Sequence, residues 1–452
     1  MRRTRRAVLL LAAVMAAGCA TNPGHVGPEG IARLERARND NPNSAATNRA
    51  LGIAYYTENR YPEARKSLTE AARLDPKDGT TQLYLGLTAE AQNDLPAARA
   101  AYSSYVNYGR TARVRRLLED RLAALTRKEL AADARKAVAD EKELASVPGS
   151  PRTVAVLPLR FSGSDTTLRP LERGMAELLT TDLARSSQLT VVERTRVQAL
   201  VDELQLQQSG ATDASTNVRA GRLLRAGRLV SGQILQTGND LRVDAAVVDV
   251  PTTQVAGTAS DDRTLDQLFT IEQNIAFGVF NSLGVTLTTA ERNAIEQRPT
   301  KSLAAFLAYS RGLTLADEGR YDDANRYFDQ AVRLDPGFLQ AQQQRQQTQA
   351  TAQGQQMTPS TVEGALKGTT EGQIVAAATQ GSAVPNVVSG GSTAGATAQG
   401  LNPSTSGIAS LGGGTTTTTA TSGKSNPGST TTGTDNPATN TATVILVIKV
   451  PH

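Results

Sequence analysis

Thr153-Val-Ala-Val-Leu-Pro-Leu159 is the stretch that decides the fold. A near-continuous apolar run of this length reads as a strand buried on both faces, with Pro158 tolerated because it stands at the strand end. Helix-period apolar residues from Leu168 to Ser186 lead to a second strand, Leu189-Thr-Val-Val-Glu-Arg194, and a helix through Leu200 and Leu204 ends at Ser209-Gly210. A third helix precedes three strands, Leu229 to Leu235, Leu241 to Val250 and Gln254 to Ala259. Their short joints at Gly238-Asn239 and Pro251-Thr-Thr253 predict an antiparallel meander. Thr264-x-x-Gln267 reads as a capping box for a closing helix whose buried stripe is Leu268, Ile271, Ile275, Val279 and Leu283. The expectation is an α/β domain with a mixed sheet over residues 152–290.

Five landmarks fall in order along this domain: Val154-Ala-Val-Leu-Pro, Val191-Val-Glu-Arg194, Glu203 with Ser209-Gly210-x-x-Asp213, Gly221-x-Leu-Leu-x-Ala226 and Leu229-Val-Ser-Gly232. Together they resemble the curli production assembly/transport component family, the CsgG-like lipoproteins. Two positions depart from the family pattern. Leu159 stands where an aromatic is usual, and Arg225-Ala-Gly227-Arg228 stands where the family reads Gly-Ala-Asp. The resemblance implies export of curli-type fibre subunits and a homo-oligomer formed through the α/β domain. It also implies where a channel would carry its extra hairpins, at the joints Gln236 to Asp240 and Ser260 to Arg263. A spanning strand needs about 9 to 11 residues, so neither joint is long enough, and the expectation is the family's periplasmic core without a barrel.

Residues 1–18 read as a lipoprotein signal peptide: four arginines, an apolar run from Ala7 to Met15, then small residues. Ala16-Ala17-Gly18-Cys19 resembles a bacterial lipobox, which makes Cys19 the acylation site and the lipid membrane a partner. Thr21 and Asn22 follow in place of an aspartate, which favours the outer membrane, with the protein facing the periplasm. Arg2, Arg3, Arg5 and Arg6 carry four of the five excess positive charges, so no nucleic-acid footprint remains in the rest of the chain. With two histidines outside any predicted core and a single cysteine, neither an internal disulfide nor a Cys/His metal cluster is expected.

Pro42 and Pro76 are 34 residues apart, the period of the tetratricopeptide repeat. In the frame from Ala45 to Asp78, Leu51-Gly52, Tyr55, Ala64, Leu68 and Ala71 fall on the small and large packing positions of such a repeat. Leu85-Gly86, Ala89, Ala98, Tyr102 and Tyr105 do so in the next copy. Repeats are therefore expected over 29–112, with an incomplete one at Ile31 to Pro42. Residues 113–147 then form a linking helix whose stripe, Val114, Leu118, Leu122 and Leu125, caps the array before the helix continues in solvent. Arg49, Ile53, Tyr56, Leu83, Leu87 and Glu90 occupy the groove positions of the first helices and are the candidate site for a protein or peptide partner. A repeat that packs only on its own chain is the competing reading.

After the α/β domain, Thr288-x-x-Glu291 caps a helix. Gly312, Leu315, Ala324, Phe328, Ala331 and Pro336 mark a further repeat within 291–345. A single repeat cannot bury its own face, so it is expected to dock on the α/β domain or on the first array. The Gln-, Gly-, Ser- and Thr-rich residues 346–442 read as a disordered tail, and 443–451 either as a terminal strand that could add to a sheet edge or as a frayed apolar tail.

The enzyme class is disfavoured. Asp213, Glu193 and Glu203 sit at turns, strand ends and helix faces, Glu203 within reach of Arg194, and Phe161-Ser-Gly-Ser-Asp165 lacks the spacing of a phosphate loop. No cofactor is expected. The reading is a non-enzymatic lipid-anchored scaffold in curli-like surface assembly or envelope maintenance, with a subunit of a secretion channel as the alternative.

Overall fold

The computed structural model describes residues 26–144, 148–207 and 214–384. Cys19, Ser209-Gly210, Asp213, Val147, the tail from residue 385 and the expected terminal strand lie outside them.

The described residues open with five helices, α1 (Gly27–Asp40), α2 (Ala45–Thr57), α3 (Tyr61–Leu74), α4 (Gly79–Ala91) and α5 (Leu95–Tyr108). Helix α2 packs on α3 and α4 on α5, as the repeat frame requires. The Leu-Gly pairs show why the period carries information. A Cβ at Gly52 would lie 2.4 Å from Leu68 Cγ, and one at Gly86 would lie 2.3 Å from the Tyr102 ring. Each glycine is the socket for the large residue of the second helix, and filling it would overpack the pair by about 1 to 3 kcal/mol. Asn59 and Asn93 hold left-handed φ values of 58° between the helices, a region asparagine tolerates better than most residues. The long α6 (Ala112–Ala139) and the short α7 (Glu141–Leu144) follow. Val114, Leu118 and Leu125 are buried on the array as expected. The second half of α6 is not a solvated rod, because Ala134 enters a core shared with Val197, Leu200 and Leu204 of the α/β domain.

That domain runs β1 (Ser150–Val156), β2 (Arg160–Ser162), α8 (Leu171–Leu183), β3 (Thr190–Val191), α9 (Arg194–Gln207), α10 (Ala214–Leu223), β4 (Ala226–Thr237), β5 (Asp240–Asp249), β6 (Gln254–Thr264) and α11 (Leu268–Ser282). The sheet order is β3-β1-β4-β5-β6, with β2 beside β4. Strands β1, β3 and β4 are parallel, whereas β5 and β6 close an antiparallel meander. The apolar run of β1 is buried on both faces. Val154 and Val156 join α8 and α11, while Ala155 and Leu157 join α9 and α10. In β5 only alternate residues, Leu241, Val243, Ala245 and Val247, are buried, because helices cover one face of the meander alone. Two local expectations are corrected. The second strand pairs only at Thr190–Val191, because helix α9 already begins at Arg194. Thr264 ends β6 and starts a single 3-10 turn, Leu265–Gln267, with no side-chain cap, so the capping box does not form.

The remaining helices are α12 (Thr289–Glu296), α13 (Leu303–Asp317), α14 (Tyr321–Leu334), α15 (Leu339–Gln356), α16 (Pro359–Leu366) and α17 (Thr370–Thr379). The capping box at Thr288 and Glu291 is formed. The lone repeat, α13 and α14, docks on the α/β domain through an edge contact of Phe306 with Phe269, centroids 5.4 Å apart. Gly174 of α8 admits Ser310 there, since a Cβ would fall 2.0 Å from its Oγ. The disorder expected from residue 346 does not begin there. Glutamine and alanine are good helix formers, and α15 buries small residues, Ala341, Thr348, Thr351 and Gly354, where large ones would be expected. A Cβ on Gly354 would meet the Asp120 carbonyl at 1.9 Å, so this glycine lets α15 lie against the backbone of α6.

Candidate functional site

The groove of the N-terminal repeats is formed, and the chain fills it itself. Helix α17 lies on α2 and α4, and α16 lies on α6. Val362, Leu366 and Ala378 share one core with Leu51, Tyr84 and Leu118. Of the six candidate groove residues, Ile53, Leu83 and Leu87 are buried in this core and Tyr56 packs against it. Tyr56 also meets Tyr84 edge-on at 5.4 Å. Arg49 is 1% exposed and spans the groove, pairing with Asp78 at 2.9 Å and donating to the Val384 carbonyl. Glu90 accepts from Tyr102 at 3.0 Å and pairs with Arg121, whose guanidinium also donates to the Gly354 carbonyl at 2.7 Å. The structure thus brings all six together, but beneath the protein's own C-terminal helices rather than in an open partner groove.

The residue that locks this closure is one the sequence reading did not single out. Glu371, 3% exposed, accepts from the Tyr105 hydroxyl at 2.7 Å, from the backbone N–H groups of Arg110 and Thr111 at 3.1 Å each, and from the Thr111 hydroxyl. A buried carboxylate is tolerated only with such a full set of donors. The signal was present: Thr369 caps α17, and Glu371, Ile374 and Ala378 recur at helical spacing, in a stretch whose composition hides them.

Two further polar clusters hold the α/β domain. Arg194 does not bond Glu203 as expected; it pairs with Glu177 at 2.7 Å and with Asp317 at 2.7 Å, while Glu203 faces Arg135 at 3.9 Å. Burial opposes the Arg194 charge, but the carboxylates of Asp317 and Glu177 prevail and raise its pKa above the ordinary value. Further along α8, Asp182 and Glu272 of α11 form a carboxylate pair, with Arg185 donating to Asp182 at 3.0 Å. Burial first, and then the neighbouring Asp182, raises the Glu272 carboxyl well above the usual range. Acid chemistry needs space for a substrate, and the cavity beside the pair is about 10 Å³, room for no more than a water-sized molecule.

Comparison with known proteins follows the same division. Residues 135–266 match the family model described as the curli production assembly/transport component CsgG. Residues 28–78, 49–113 and 305–338 match tetratricopeptide repeat models. The chain thus carries a CsgG-type domain flanked by such repeats. A curated relative, "Putative adenylate cyclase 3" of Rhizobium meliloti (strain 1021), is 26% identical over 198 residues, 43% of this chain and 32% of the relative. The chain therefore spans about a third of the length of that relative. Among solved structures, the LpoB C-terminal domain from Salmonella enterica aligns at 17% identity over 27% of this chain and 91% of that one, with a TM-score of 0.21.

Proposed function

We propose that the protein is a non-enzymatic, lipid-anchored scaffold of the outer membrane, facing the periplasm and serving curli-like surface assembly or envelope maintenance. One observation carries the choice of scaffold over channel subunit. Strands β4 and β5 are joined by Gly238-Asn239 alone, and β6 runs directly into the turn at Leu265–Gln267. Those are the places where channels of the resembled family carry hairpins, and a spanning hairpin needs roughly twenty residues. The lipid anchor is supported by the basic and apolar residues before Cys19. Among the described residues no helix is long and apolar enough to cross a membrane.

Tetratricopeptide repeats support binding of protein partners. Because α16 and α17 cover the groove, partners meet the outer repeat faces and the edge strand β6, where Val255 is 59% exposed. Such an edge also suits self-association of the α/β domain. The non-enzymatic reading rests on the confinement of the Asp182–Glu272 pair, whose cavity has room for no more than a water-sized molecule, and the cyclase label of a relative matched over a third of its length does not transfer. Replacing Cys19 by Ser tests the anchor: the expected result is protein released from the membrane fraction or left at precursor size. Unchanged fractionation and acyl labelling would contradict it.

A further inference from the structure

Where β1 ends, the α/β domain opens a cavity of about 600 Å³ that the scaffold role does not use. Strand β1 hydrogen-bonds β3 on one side and β4 on the other, all parallel. The chain leaves β1 toward α8 and β3, then returns through α9 and α10 on the opposite face to reach β4. Such a reversal leaves a crevice beyond the carboxyl end of the strand, the place where open α/β sheets hold ligands.

The wall defines what would fit. Four arginines, Arg160, Arg169, Arg173 and Arg311, face two glutamates, Glu172 and Glu318. Arg173 is committed to Asp317 at 3.2 Å. The exposed guanidinium groups of Arg169 and Arg311 make no ion pair or side-chain hydrogen bond among the described residues. A second observation is independent of charge. Gln198, 3% exposed, donates its Nε2 to Asp202 at 2.7 Å, and its Oε1 is buried with no partner. An orphaned acceptor in a cavity wall is unusual in a folded protein and offers a place for the donor of a bound molecule. Beside it stand apolar side chains, Leu157, Leu159 and Leu204.

The geometry points to a binding site for a small organic anion. Its carboxylate or phosphate faces Arg169 and Arg311, a hydroxyl or amide N–H donates to Gln198 Oε1, and its apolar part lies on the leucines. Because Arg311 belongs to α13, the bound anion bridges the α/β domain and the C-terminal repeat. It therefore stabilises their docking by mass action.

The test uses the full chain with adenosine monophosphate, N-acetyl-alanyl-glutamate and inorganic sulfate as probes, read by thermal unfolding and calorimetric titration. Either organic probe is expected to raise the melting temperature saturably, and which one does so identifies phosphate or carboxylate as the anion. The double variant R169Q/R311Q, altered only at exposed side chains, should melt like the parent without probe and bind at least about tenfold more weakly. Q198L should weaken binding as well. Two results overturn the site: neither organic probe binds at millimolar concentration, or sulfate matches them and all three survive R169Q/R311Q, which marks an adventitious ion only.

Discussion

Arg194 and Asp317 stand 123 residues apart in sequence and meet through two hydrogen bonds of 2.7 and 3.0 Å, the last side chain of the Val-Val-Glu-Arg motif gripping the last residue of α13. Arg173 at 3.2 Å and Arg127 at 3.9 Å converge on the same carboxylate. Three elements, α6, α8 and α9, are thereby tied to one repeat helix. Fixed planar guanidinium geometry makes such a clamp specific in register as well as attractive.

Asp317→Asn should leave this arginine cluster short of a buried counter-charge. The expected cost is about 3 kcal/mol, since breaking a buried pair on one side strands the other. Urea unfolding followed by circular dichroism measures it, and a change below about 1 kcal/mol would show that the clamp is dispensable.

Glu272 gives a pH dependence of defined sign. Its folded pKa lies above the unfolded one, so its contribution is fully present below the ordinary carboxylate range and is lost as pH rises toward the folded value. Glu272→Gln keeps a donor to Asp182 and removes the titration. The variant should be more stable than the parent at neutral pH, and the advantage should shrink as pH falls through the ordinary carboxylate range and vanish below about pH 3.5, where Glu272 is protonated in both states of the parent. Melting curves across that window decide it; parallel profiles would contradict the assignment.

Arg225 occupies a left-handed turn at φ 55° where the resembled family has glycine, and its side chain is exposed. Arg225→Gly should therefore stabilise the domain by up to about 1 kcal/mol, the steric gain exceeding the entropy that glycine adds to the unfolded chain. A lower melting temperature would show that the arginine side chain makes a compensating contact.

Ending the chain at Met357 removes α16 and α17 from the groove. Val362 and Leu366 are buried in the core shared with the repeats, and large apolar side chains contribute about 1.5 to 3 kcal/mol each, so the loss should be several kcal/mol. Thermal unfolding and protease sensitivity of Gly27–Tyr108 read the effect. An unchanged repeat array would mean that the covering helices are peripheral.

The α/β core and the repeats were legible because their signals are local: an apolar strand run, two short turns, and Leu-Gly pairs set 34 residues apart. What escaped was long-range closure. Helices α15 to α17 pack with Gly, Ala and Thr, which composition alone reads as disorder, although Gly354 and Glu371 show how close approach and a saturated carboxylate can hold such a segment. Arg49 and Ile53 lie beneath the C-terminal helices, and no feature near them in sequence indicates that what covers them lies more than 300 residues later in the same chain. The partner of Arg194 was missed for the same reason, since Glu203 is near in sequence and Asp317 is near only in space.

The central claim is that this CsgG-type core serves as an anchored scaffold and does not form a pore. Purified acylated protein reconstituted into planar bilayers tests that claim most directly. The expected result is no stepwise conductance at any protein density, because the joints at Gly238-Asn239 and Leu265–Gln267 hold no hairpin to contribute to a barrel. Reproducible large conductance steps that scale with the protein and persist without either repeat array would contradict the scaffold reading and establish a secretion channel.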